Sequence, residues 1–304
     1  MRQFLICIGL IISGVAFGQQ PKTTDFLTEI TKYDISDLWT LTKFQAENDT
    51  IIVERQEPLG YIGDNYQRFY IHFISAIQNP TNKLEYLIYG KTKVKENICS
   101  FQGRLTIKEA KTYITREPFH ELKQGFVAGT YEFYEDAKLK RTGKLNGNFS
   151  TDFYIDEKGK LKYDALLFVA DGFDNNQFEG KWTSYKTGEM KKCNWGDYRI
   201  PDSKALDCGA GEFSVDDKYA ANGWISFKLA EGMSPDKMDT KSAKIEENRK
   251  WWTEKEKKQQ TANTRMCIGL LTYSRAFPLS FHDSERPCKP PMPMAMTSVV
   301  SCNL

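Results

Sequence analysis

Histidine is almost missing from this 304-residue chain: His72, His120 and His282 are too few for a His-rich metal centre. An excess of charge of one sign is missing too. Forty-two Lys and Arg stand against 40 Asp and Glu, and the net charge of +2 gives no long-range attraction for nucleic acid. There is no Cys-x-x-Cys, hence neither a thioredoxin-type redox pair nor a zinc ribbon. Gly-x-Ser-x-Gly and the Walker loop are absent, which removes the usual signatures of an esterase-type nucleophile and of a phosphate cradle. His120-Glu121-Leu122-Lys123-Gln124 opens like a zincin helix but has Gln where the second metal ligand belongs. Gly209-Ala210-Gly211 lacks the third glycine and the leading strand of a dinucleotide fingerprint. No metal and no cofactor is therefore expected.

What is present is apolar and aromatic material, 40% and 13% of the residues, enough for a packed core. Residues 1–18 read as a secretory signal peptide: Arg2, an apolar run from Phe4 to Val15, and small residues at Ala16 and Gly18. The run is too short to span a membrane, which takes about 20 residues, and no later segment reaches that length. The expectation is an exported protein, located in the periplasm, on the outer-membrane surface or outside the cell. Six cysteines follow the cleavage point. Cys193 and Cys208 flank a loop-like Gly/Asp/Pro stretch and are the most credible disulfide; two unpaired thiols are the alternative.

Residues 19–49 read as a helical lead-in, with Phe26, Ile30 and Tyr33 at helical spacing and Leu38, Trp39 and Phe44 after a break. From residue 50 to 229 the period is two. Segments 66–73, 84–89, 101–107, 131–134, 149–155, 161–169 and 178–185 alternate between Gly, Asn and Asp turns, with no helical pattern between them. That predicts an all-β domain, an antiparallel meander forming a curved open sheet or a barrel, with helices flanking it at both ends. Residues 230–260 carry a charged helix over 240–258, with Glu246/Lys250 and Glu254/Lys258 as ion pairs and Ile245 and Trp252 as a docking stripe. Residues 261–304 form a Pro/Met/Cys-rich tail without a period, expected to be disordered.

A weak repeat runs through the β domain. Gly129-Thr130-Tyr131, Tyr134 and Leu139-Lys140 return as Gly180-Lys181-Trp182, Tyr185 and Met190-Lys191, with Gly147-Asn148-Phe149 between them. Each copy reads as one hairpin. Residues 126–196 thereby resemble variant MORN-type β-hairpin repeats, best in Phe178-Glu179-Gly180-Lys181-Trp182, although Tyr185 stands where the family has a later Gly. The resemblance implies an interaction or scaffold surface and brings no catalytic residue with it. The alternative is that Gly–aromatic spacing recurs in any curved meander, because sheets kink at glycines.

Three constellations carry chemistry. Tyr66, Arg68, Tyr70 and His72 alternate along one strand face, opposite Phe69, Ile71 and Phe73, and suit an anionic or sugar-like ligand; a plain amphipathic outer face is the alternative. The oxygens of Asp171, Asp174, Asn175, Asn176 and Glu179 suggest calcium but fail the EF-hand spacing, so a solvated turn is preferred. Asn194-Trp195-Gly196-Asp197-Tyr198-Arg199, with Asp207 and Glu212, offers carboxylates beside rings, as a glycan cleft would; a turn with an Asp–Arg pair is the alternative. Trp182 and Trp195, with Asp197 and Arg199, complete the candidate ligand-binding set. The leading expectation is a non-catalytic binding protein of the cell envelope that recognises a protein, glycan or surface component. The alternative is a secreted carbohydrate-active hydrolase using carboxylates within residues 171–212. The chain is also similar in plan to exported β-rich proteins of Gram-negative bacteria that have no assigned activity.

Overall fold

A computed structural model describes residues 21–46, 51–232 and 240–254; residues 1–18, read above as a signal peptide, and the 261–304 tail lie outside these. The lead-in is less helical than its spacing predicts. It consists of β1 (Thr23–Asp25), two single turns, α1 (Leu27–Ile30) and α2 (Asp37–Thr40), and a hairpin of β2 (Lys43–Ala46) and β3 (Ile51–Glu54). Most of its predicted apolar residues nevertheless turn inward: Phe26, Ile30, Leu38, Trp39 and Phe44 are buried and Tyr33 half-buried, whereas Ile51 and Ile52 of β3 are exposed.

The body is an antiparallel meander. After β4 (Leu59–Ile62) and β5 (Gln67–Arg68) come β6 (Tyr70–Gln78), β7 (Glu85–Val94), β8 (Asn97–Tyr113), β9 (Lys123–Glu135) and β10 (Gly143–Ile155). Then follow β11 (Leu161–Tyr163), β12 (Asn175–Ser184) and β13 (Met190–Asp197). The sheet runs β5-β4-β13-β12-β10-β9-β8-β7-β6, with β1 added beside β8 and β11 beside β10. Period two decides the faces. On β7, Tyr86, Ile88, Gly90 and Thr92 are buried, while Leu87 and Tyr89 point outward.

Ring contacts show that the sheet curls into a half-barrel. Four strands separate β6 from β12, about 24 Å across a flat sheet. Yet the Phe73 and Phe178 ring centres are 5.8 Å apart, and Phe69 lies 5.7 Å from Trp195. Glycines on the inner face allow the curvature. A Cβ on Gly180 would sit 2.4 Å from the Tyr131 hydroxyl and 2.3 Å from the Asn146 carbonyl, and one on Gly90 would meet the Phe101 ring at 2.6 Å. The lead-in plugs the concave side: Trp39 packs edge-on to Tyr86 (5.0 Å) and Phe149 (5.9 Å). A second core of Leu59, Tyr61, Ile200, Leu206, Phe213, Val215, Trp224 and Phe227 lies beyond the β4 end.

Several expectations are corrected. The strand predicted over 161–169 stops at Tyr163, and residues 194–197, read as a turn, continue β13. The stretch 66–73 is interrupted at Phe69, and Tyr66 sits in a left-handed turn (φ 52°). The C-terminal helices are short: α3 (Ile225–Ala230), α4 (Thr240–Glu247) and a 3-10 turn at Trp251–Thr253. Glu246 pairs with Arg249 at 3.3 Å instead of Lys250, Ile245 is exposed, and Trp251 is the buried anchor. Cys193 is a free thiol at the buried centre of β13 and Cys208 a free thiol at the surface, so this disulfide is not formed. No helix among the described residues is long and apolar enough to cross a membrane.

Candidate functional site

The structure divides the sequence-predicted residues between the interior and one covered outer face, and adds a third environment that holds none of them. The first is core. Trp195, expected to be an exposed ring, is 1% accessible and stacks on Phe178 at 4.9 Å. Asp197 lies beside it, equally buried, and its carboxylate is saturated. Arg55 grips it with Nη2 at 2.8 Å and Nε at 3.0 Å, while the Tyr163 hydroxyl (2.9 Å) and Asn176 Nδ2 (2.8 Å) also donate to it. Arg55 Nη1 donates to the Trp39 carbonyl and Asn176 Nδ2 to the Leu38 carbonyl, so the network fastens the lead-in to the sheet. Burial by itself lowers the Arg55 pKa, and the Asp197 charge overrides it to leave it raised; burial and then Asp197 raise that of Tyr163. This is a structural staple with no open valence for substrate.

Arg199 and Trp182 are likewise occupied within the chain. Arg199 donates to Asp207 (2.7 Å) and the Gly211 carbonyl (3.0 Å), and Asp207 also accepts from the Gly209 and Ser214 amides. Trp182, half-buried on the inner face, donates to Glu135 at 2.9 Å. Burial holds the Glu135 carboxyl above its ordinary range, against donation from Thr92, Trp182 and the Gly143 amide.

The second environment is the outer face at the start of β6. Arg68 is 4% accessible, its guanidinium 4.5 Å from the Trp224 ring centre, 4.7 Å from Tyr70 and 5.2 Å from Phe227. Its Nη2 donates to Glu247 of α4 at 2.7 Å; its Nε and Nη1 are buried without a hydrogen bond among the described residues. Tyr70 packs against Trp251 at 5.9 Å. His72 stacks flat on Trp252 at 3.9 Å, and its Nδ1 meets the Glu57 carboxylate at 2.9 Å. The predicted stripe is thus real from Arg68 to His72, but the chain's own residues 240–254 lie on it, and Tyr66 turns away to pack on Tyr61 and Tyr219. A cleft of about 40 Å3, room for a few waters, opens beside His72 between Trp39, Arg55, Glu57, Phe178 and Trp195.

The third environment is one that sequence reasoning missed. Asp152 on β10 and Asp164 after β11 share Nη1 of Arg116, at 3.5 and 3.6 Å. Burial, reinforced by the Asp164 and Asp174 charges and opposed by Arg116, pushes Asp152 up to about 6. Also missed was a ladder on the outer face: Ile77 is opposite Leu87, Tyr89 follows on the same strand, and Tyr134 lies two strands on, beyond Gln102 of β8. These four are 42–61% accessible. The x-Leu87-x-Tyr89 alternation was the available signal, since Tyr86 and Ile88 claim the core side.

Among the described residues no group of His, Cys, Asp and Glu is placed to hold a metal ion. No protein-family model, curated protein or solved structure matches this chain. The fold and these sites define it as an all-β half-barrel protein with a filled concave side and an apolar outer ladder.

Proposed function

We propose that the protein is an exported, non-catalytic recognition protein of the cell envelope whose outer sheet face binds a protein partner. The observation that carries this reading is the ladder of Ile77, Leu87 and Tyr89, continued beyond Gln102 by Tyr134: apolar side chains left in water on strands whose other face builds the core. Two tyrosines beside an Arg104–Glu132–Glu85 ion ladder give the apolar centre and polar rim of a protein interface. Export rests on the character of residues 1–18. The resemblance to MORN-type hairpins supports a scaffold surface, and its two copies fall at the β9–β10 and β12–β13 turns.

The test is capture of solubilised envelope proteins on the immobilised full chain, followed by affinity measurement with the identified partner. Leu87→Ser together with Tyr134→Ser should weaken that affinity at least about tenfold, as loss of central interface residues does. Unchanged affinity would refute the ladder, and retention of polysaccharide alone would replace a protein partner by a glycan. The hydrolase reading keeps one observation, the raised Asp152 carboxyl beside Asp164. No turnover of a glycan panel by the wild type would end it, and turnover that survives Asp152→Asn would remove that carboxyl from it.

A further inference from the structure

The Arg68 pocket is separate from the ladder and has an occupant of its own. Three contacts follow one another along a single short segment. The Glu247 carboxylate meets Arg68 and the Ser226 hydroxyl, Trp251 packs on Tyr70, and Trp252 stacks on His72. The Glu254 carbonyl then accepts from Lys91 at 3.0 Å. An acid followed at the fourth and fifth positions by two indoles is read residue by residue, as a peptide is read by a groove.

Trp251 is this segment's one deeply buried side chain besides Ala243, and two features set the rest of it apart from the core. The apolar burial of α4 is slight: Ala243 joins only Leu229 and Ala230 in a cluster detached from both main cores. The acid also uses the guanidinium poorly. A carboxylate facing the Arg68 fork can take two parallel N–H bonds, yet Glu247 takes one, and two buried donors remain unbonded. Leaving buried donors unpaired is costly, so an acid seated in the fork would be held more strongly than the present one.

We propose that this pocket is a binding site for an acidic, Trp-bearing peptide segment of another protein, and that residues 240–254 are a built-in pseudoligand that keeps it closed. The ligand presents a carboxylate to Arg68 and indoles to Tyr70 and His72. Because the pseudoligand is part of the same chain, its effective concentration at the pocket is high, about millimolar, and it masks the site until displaced.

The probe is a fluorescently labelled synthetic peptide of residues 240–254, added to the full chain and followed by polarisation. The wild-type chain should bind it weakly. The Glu247→Lys chain, whose own acid is removed and replaced by a repelling charge, should bind it at least about tenfold tighter, the gain expected when a competing intramolecular contact is lost. A peptide carrying Glu247→Gln should lose that gain, a control that leaves the protein's folding untouched. Arg68→Lys in the Glu247→Lys chain should lose it as well. Equal binding by wild type and Glu247→Lys, or indifference to the peptide's own acid, overturns the proposal. So does a concentration-dependent dimer of the Glu247→Lys chain, which would make the pocket a site of exchange between copies. Hydrogen exchange of the wild type supplies the second measurement: residues 240–254 should exchange at least about a hundredfold faster than β8 and β9, as a displaceable segment must. Protection equal to those strands also overturns it.

Discussion

At the scale of single residues, the most consequential change in meaning concerns Asp197. In sequence it stands as a carboxylate beside aromatic rings; in the structure it is the acceptor on which Arg55, Tyr163 and Asn176 converge. Removing it strands a buried guanidinium, so Asp197→Ala should cost about 3–5 kcal/mol in chemical denaturation. A loss under about 1 kcal/mol would show that water reaches Arg55, contrary to its burial. Asp152 acts in the opposite sense. Its folded value of about 6 exceeds its ordinary 3.8, chiefly through burial, so between those values the native state holds a proton that the unfolded chain releases. Its contribution therefore weakens the fold as pH rises from about 4 to 7. Asp152→Asn should stabilise the protein by about 1 kcal/mol at pH 7 and flatten the pH dependence over that window. The slope that remains belongs to Glu135, Asp164 and Asp174, which are raised in the same direction. An unchanged melting profile from pH 4 to 7 would contradict the raised Asp152 carboxyl.

At the scale of elements, the Gly–aromatic spacing has a mechanical origin. Tyr131 lies across Gly147 of the next strand and reaches Gly180 of the one beyond, so the ring fills the space that the glycines vacate. Gly180→Ala pushes a methyl into that ring and into a neighbouring carbonyl, and should cost about 2–3 kcal/mol in urea unfolding, the scale of an overpacked core. A neutral outcome would mean that the sheet can flatten there without loss. The alternation that forms β7, β9, β10 and β12 was legible in the sequence because over most of its length each strand buries one face. β13 was not legible, because Cys193, Asn194, Trp195, Gly196 and Asp197 are buried without interruption and the alternating signal disappears. The four-residue helices of the lead-in were overread for a related reason. Phe26, Ile30 and Trp39 are spaced to reach a concave surface, which a bent chain achieves as well as a helix.

At the scale of the whole molecule, the sequence discloses an antiparallel meander but not which stretches of its outer face are covered by the chain itself. A stripe such as Arg68, Tyr70 and His72 looks the same whether water or another segment covers it, and only the placement of residues 240–254 distinguishes the two. The disulfide expectation failed on the same ground. Cys193 faces the inside of the curled sheet and Cys208 the surface, a separation of environments invisible in their spacing.

One connection carries a further consequence. β5 and β6 are separated by Phe69 alone, yet they occupy opposite ends of the strand order. From β6 to β13 the strands pair with neighbours in sequence, apart from β12, which reaches β10 past the short β11, and such hairpins can close in microseconds. The pairing of β13 with β4, Cys193 opposite Ile62, joins residues far apart in the chain and pays its loop-closure entropy in one step. That seam is therefore the pairing expected to limit folding speed, and a chevron of a variant weakened at Ile62 would show it as a slowed folding limb.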